Sequence, residues 1–76
     1  MVDRPPELKP VQSSNVAAIG YDAAKQEFYC EWHNGKISVY QSVPQLTASD
    51  IENAPSIGKA VHSHLRGKFA HHYLEE

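Results

Sequence analysis

Cys30 is the only cysteine in the chain, so no disulfide can form within it and no cysteine-based zinc site can be built. A single thiol with no partner fits a reducing compartment. Nothing approaches the run of ~18–20 apolar residues that spans a bilayer. The opening Met1-Val2-Asp3-Arg4-Pro5-Pro6 lacks the basic-then-apolar order of a secretory signal. A soluble, cytoplasmic protein with no membrane partner is expected. The four glycines form no phosphate-cradling fingerprint. Ser13 and Ser14, the serines to be weighed with His33 or His64, have no nucleophile-elbow motif around them. Cys30 falls at a strand position expected to be apolar and buried, which raises a thiol's pKa and hides it. No enzyme, catalytic residue, cofactor or small-molecule substrate is expected.

Seventy-six residues suffice for one domain with one core and not for two. Stability in so short a chain is marginal and rests on a compact core or on self-association. The net charge is −2, but the charges are segregated. From Ile57 to His72 there is no acid, while Lys59, Arg66 and Lys68 stand there with His62, His64, His71 and His72. The rest of the chain holds all nine carboxylates against four basic residues. An acidic body thus carries a weakly basic C-terminal element. A cation bias at a helix C-terminus accounts for part of it, and a small phosphate-binding patch is the functional reading.

Residues 1–10, with Pro5, Pro6 and Pro10 among charges, read as a disordered N-terminal arm. A single domain is expected over 11–70, followed by a C-terminal tail at 71–76. Val16–Tyr21 reads as a strand. In Glu27–His33, Phe28, Cys30 and Trp32 alternate with Tyr29, Glu31 and His33, the period of a half-buried strand. Trp32, the largest side chain of that set, is expected to anchor the core, with a loss of ~3–5 kcal/mol on truncation to alanine. Asn34-Gly35 supplies a hairpin turn, and Lys36–Val43 is the third strand. Pro44 suits the start of a helix, with Leu46, Ile51 and Ala54 on its apolar face before Pro55 ends it. Ser56 caps a second helix running to about Leu65, with Ile57, Ala60, Val61 and Leu65 inward and Gly67 as its stop. The expected fold is α+β: a three-stranded antiparallel meander followed by two short helices packed on one face.

An ordered set of segments resembles the KTSC family, the short module named for its place at the C-terminus of some lysyl-tRNA synthetases. The set comprises Val11–Val16, Ile19-Gly20-Tyr21-Asp22, Phe28-x-Cys30-x-Trp32 and Asn34-Gly35. It continues through Ser38–Pro44, Ala54–Gly58 and Leu65–Phe69. The family's central Tyr-x-Tyr stands here as Ser38-Val39-Tyr40, and Ala60 and His62 replace an aromatic and an asparagine common in its second helix. The resemblance implies RNA binding, by association with a tRNA synthetase.

Two hairpin registers fit the sequence. A two-residue turn sets Trp32 against Ile37, Cys30 against Val39 and Tyr29 against Tyr40. A bulge at Gly35 sets Phe28 against Tyr40 and Cys30 against Ser38, and the slip exchanges the faces. The resemblance favours the bulge; Ile37 and Val39 favour the tight turn. Either leaves apolar or aromatic surface on the face away from the core, to be covered by a helix or the arm or left open as a platform. The candidate nucleic-acid contacts are Lys59, Arg66 and Lys68 for phosphates and Tyr29 and Tyr40 for stacking. The alternative is a protein-interaction or self-association module using the apolar sheet face. No metal site is expected, since His62 and His64, two apart on a helix, point to nearly opposite sides.

Overall fold

A computed structural model of the protein describes residues 7–74. In chain order the elements are β1 (Lys9–Pro10), β2 (Val16–Asp22), β3 (Glu27–Trp32), β4 (Ile37–Tyr40), α1 (Gln45–Glu52), α2 (Ile57–His64) and β5 (His71–Tyr73). The strands form one antiparallel sheet in the order β1-β2-β3-β4-β5. The α+β class holds, but the sheet has five strands where the sequence suggested three. The two additions are edge strands of two and three residues, too short to show a period. Within the expected arm, Lys9 and Pro10 pair with Ile19 and Ala18, and an edge is where a strand tolerates the missing proline donor. Residues 1–6 of that arm lie outside the described residues. Within the expected tail, His71–Tyr73 pairs with β4; residues 75 and 76 lie outside the described residues.

The β3–β4 hairpin takes the bulged register, with Phe28 opposite Tyr40 and Cys30 opposite Ser38. Gly35 N–H donates to the Trp32 carbonyl at 2.9 Å, and Trp32 N–H donates to the Lys36 carbonyl at 2.8 Å. Gly35 holds φ at 90°, a conformation open to glycine at little steric cost. The third strand stops at Tyr40, short of the expected Val43, because Ser42 turns to φ 59°.

Both helices lie over the same face of the sheet. Pro44 is extended and precedes α1 as its cap, with its carbonyl accepting from Ala48 N–H at 3.1 Å. Ile51 is buried and Ala54 packs partly buried against the core as expected, but Leu46 is 74% exposed and Ala48 takes the inward place instead. The Ser56 hydroxyl caps α2 by accepting from Lys59 N–H at 3.4 Å. Ile57, Ala60, Val61 and Leu65 are all buried. They close over Val16, Ile19, Phe28, Cys30, Tyr40 and Val43. A bulge in β2 between Val16 and Ala18 lets Val16 and Ile19 share that face although they are three apart.

Trp32 is not the central anchor. It ends β3 half-buried at the margin of the core, where its indole N–H donates to the Ser38 hydroxyl at 2.8 Å. Phe28, with no exposed surface, holds the centre instead.

Burial pushes the Cys30 thiol up to about 12 from an ordinary value of 9.0. The folded state therefore holds a proton that the unfolded chain releases between these values. Its contribution is full below pH 9.0 and is lost as pH climbs towards 12. In denaturant titrations across that window, wild-type stability is expected to fall with pH more steeply than that of Cys30→Ala. In the native protein the thiol is expected to resist thiol reagents at mildly alkaline pH; labelling as fast as in denaturant would contradict the assignment.

Candidate nucleic-acid interface

The acid-free stretch of the chain becomes one wall of an open cleft of about 790 Å3. Lys59 and His62, three residues apart on α2, share one face of that helix, Arg66 follows in the turn just beyond it, and all three line the cleft. The facing wall comes from β4 and β5. Pairing of Tyr40 with His71 and of Ser38 with Tyr73 sets these four side chains on the same face of the sheet. The Tyr40 and His71 rings lie 5.0 Å apart and tilted by 32°, and His71 meets Tyr73 edge-on at 6.0 Å. Lys36, just past the hairpin loop, holds its Nζ 5.6 Å from the centre of the Tyr73 ring, within cation–π range.

The far end is closed by the loop before β2. The Ser13 hydroxyl accepts from the N–H groups of Asn15 and Val16 at 3.3 and 3.2 Å. A ring nitrogen of His33 lies 2.8 Å from the Ser13 carbonyl. A Cβ on Gly58 would come within 3.0 Å of the Ser13 hydroxyl oxygen, so this glycine lets the loop sit close against α2. Ser14 and Asn15 complete the lining. Three fixed cations, three histidines and the aromatic rings of Trp32, Tyr40 and Tyr73 line the cleft, and no Asp or Glu is among its described lining residues. Burial raises the Tyr40 phenol above its ordinary range, and the Arg66 guanidinium pulls against that rise.

Of the residues singled out from the sequence, Lys59 and Arg66 come together in the cleft, and Lys68 is not part of its lining. The two tyrosines require correction as stacking surfaces. Tyr40 lines the cleft but is only 3% exposed. Tyr29 is 6% exposed on the opposite face of the sheet, where its phenol donates to a Glu27 carboxylate oxygen at 3.0 Å. Neither presents an open ring face. Val39 is buried beside Tyr29 and Ile37 is half-buried, so the open apolar platform considered for that face is absent. The sequence reading passed over Lys36, Trp32 and Tyr73. Only the pairing of β5 with β4 brings Tyr73 to Lys36, and no local pattern marks that neighbourhood. Among the described residues, no group of three or more His, Cys, Asp or Glu is placed to hold a metal ion. No helix there is long and apolar enough to cross a membrane.

Comparison with known proteins adds a family. Residues 12–69 match the family profile described as the KTSC domain. A lysine–tRNA ligase from Trichormus variabilis is 32% identical over 69 residues, covering 91% of this chain but only 12% of that enzyme. The corresponding ligase of a Nostoc species is 33% identical over the same length. The chain therefore spans a small fraction of these enzymes. A protein of Tsukamurella paurometabola is 32% identical over 62 residues, which cover 92% of its length. The crystal structure of a KTSC domain protein from Yersinia pestis superimposes with a TM-score of 0.84 at 26% identity, covering 91% of this chain and 97% of that one.

Proposed function

This chain belongs to the KTSC domain family, and from that premise we propose that it is a non-enzymatic cytoplasmic module that binds RNA through the cleft between α2, β4 and β5. One observation carries the reading: Lys36, Lys59 and Arg66 converge on a cleft with aromatic walls and no described carboxylate, in a chain whose net charge is −2. Fixed cations take phosphates, and rings take unstacked bases. Lys59 and Arg66 keep the role the sequence suggested. Stacking passes from the buried Tyr29 and Tyr40 to Tyr73, which is 54% exposed, with the half-buried Trp32 beside it. The relatives that are tRNA ligases place related modules on enzymes that handle RNA, which supports the reading by association.

The test is a titration of labelled single-stranded RNA at two salt concentrations. Three phosphate contacts give a log–log salt slope of about −2, so a roughly fourfold rise in salt should weaken binding about 20-fold. Tyr73→Ala should lower affinity by roughly 5- to 150-fold, the equivalent of ~1–3 kcal/mol of stacking, and leave the slope unchanged. Failure to retain RNA even at low salt would end this reading. A protein partner whose binding survived glutamine at Lys36, Lys59 and Arg66 would favour the interaction-module alternative.

A further inference from the structure

The charges around the cleft also limit how much RNA it can hold. Proteins that track a strand lay a continuous positive groove along its backbone, with sites of roughly 4–16 nucleotides in the oligonucleotide-binding barrels. This molecule has no such track among its described residues. Outside the cleft, Lys9 lies on β1, at the opposite edge of the sheet from β5. Lys25 lies in the turn between β2 and β3, its N–H bonded to the Asp22 carboxylate at 3.2 Å. Only Lys68, two residues beyond Arg66, lies close in sequence to the cleft's cations. The carboxylates of Glu27 and Glu31 belong to β3 and those of Asp50 and Glu52 to α1. A polymer leaving the cleft over α1 meets like charge, whereas Glu27 and Glu31 share the face of β3 that carries Tyr29, away from the cleft.

The volume leads to the same conclusion. About 790 Å3 falls in the range of roughly 300–1,000 Å3 typical of sites that enclose one small ligand. The aromatic and cationic walls face each other across a concave space, suited to a base with its phosphates. A duplex is read instead along rows of phosphates over roughly 16 base pairs.

We infer that the cleft takes a phosphorylated unit of one or two unpaired nucleotides, the bases against Tyr73 and Trp32 and the phosphates on Lys36, Lys59 and Arg66, rather than a length of strand or a duplex. This rests on the RNA-binding reading above and narrows it to an RNA end or a nucleotide splayed from a loop. A free dinucleotide carries the same chemistry, so it serves as the probe.

The experiment compares three ligands against the full chain at one salt concentration: a 5′-phosphorylated dinucleotide, a long single-stranded oligonucleotide ending in the same dinucleotide, and a blunt duplex. The dinucleotide is expected to bind within about threefold of the long strand, and the duplex at least about tenfold more weakly, a gap of about 1.4 kcal/mol. Arg66→Gln should weaken dinucleotide and long strand by the same factor, since both would use the same contact. A long strand bound more than about tenfold tighter than the dinucleotide would overturn the size limit and leave RNA binding standing. A duplex bound as tightly as the single strand would overturn the requirement for unpaired bases. If no ligand bound, the RNA reading itself would fall, and this inference with it.

Discussion

Phe28→Ala is expected to remove a large share of the protein's stability and to lower its melting temperature sharply. The ring has no exposed surface, sits opposite Tyr40 and Tyr21 across the two neighbouring strands, and lies 6.4 Å from the Tyr21 ring. Truncating a buried phenylalanine costs ~3–5 kcal/mol, from lost transfer energy plus the cavity left behind. At about 0.05–0.15 kcal/mol per residue, a chain of 76 residues has a total stability of about 4–11 kcal/mol. The single change therefore removes much of what is there. Trp32→Ala should cost less, because the indole is already half in solvent, although it leaves the buried Ser38 hydroxyl without its 2.8 Å partner. Thermal unfolding of both variants, followed by circular dichroism, checks the order. If Trp32→Ala proved the more damaging, the core would be centred at the hairpin end of the sheet.

Reversing charge in the cleft is the corresponding test for binding. Lys59→Glu combined with Arg66→Glu removes two phosphate contacts, each worth about 0.7 in the salt slope, and places two carboxylates where none is described. Retention of RNA should fall below detection at any salt. Both side chains are exposed, so the melting temperature should stay close to wild type: the acid replacing Arg66, just past the C-terminus of α2, costs ~0.3–1 kcal/mol, and the acid replacing Lys59 in its first turn offsets that by a similar amount. Lys68→Glu makes the same kind of change outside the cleft lining and should have a much smaller effect. Loss of binding through Lys68 with the pair intact would move the site to the turn before β5.

Much of this fold was readable along the chain, where neighbouring residues carry the information. The Phe28-x-Cys30-x-Trp32 alternation, Gly35 at its turn and Ser56 at its cap each act within a few positions of themselves. The hairpin register required more than pattern, because both faces of β3 carry large side chains and a one-residue slip satisfies either. The backbone bonds around Gly35 select the bulge, and that choice buries Tyr40 on the core face, while Tyr29 lies on the other face in either register. The edge strands were not readable, since two or three residues show no periodicity and Pro10 argues locally against a strand. In the same way, Lys59 and Arg66 could be found from composition, as members of an acid-free stretch. Lys36 and Tyr73 could not, since they become neighbours only through pairing between strands far apart in sequence.

The antiparallel strand order also sets the sequence in which the parts of the molecule can form. The β2–β3 and β3–β4 pairs close over turns of a few residues, and such hairpins form in about 1–10 μs. The β4–β5 pair must wait for residues 41–70, with both helices, to be drawn together. Loop-closure entropy for that span costs about 2 kcal/mol more than for the hairpin turns. The wall bearing His71 and Tyr73 is therefore expected to assemble last in folding, over a central sheet already in place. Held by three paired residues at an edge, it is also expected to open well before the central strands in the native state. In hydrogen exchange, the amides of 71–73 should trade their protons well before those of 28–30, so the cleft should open and close many times in the lifetime of one folded core.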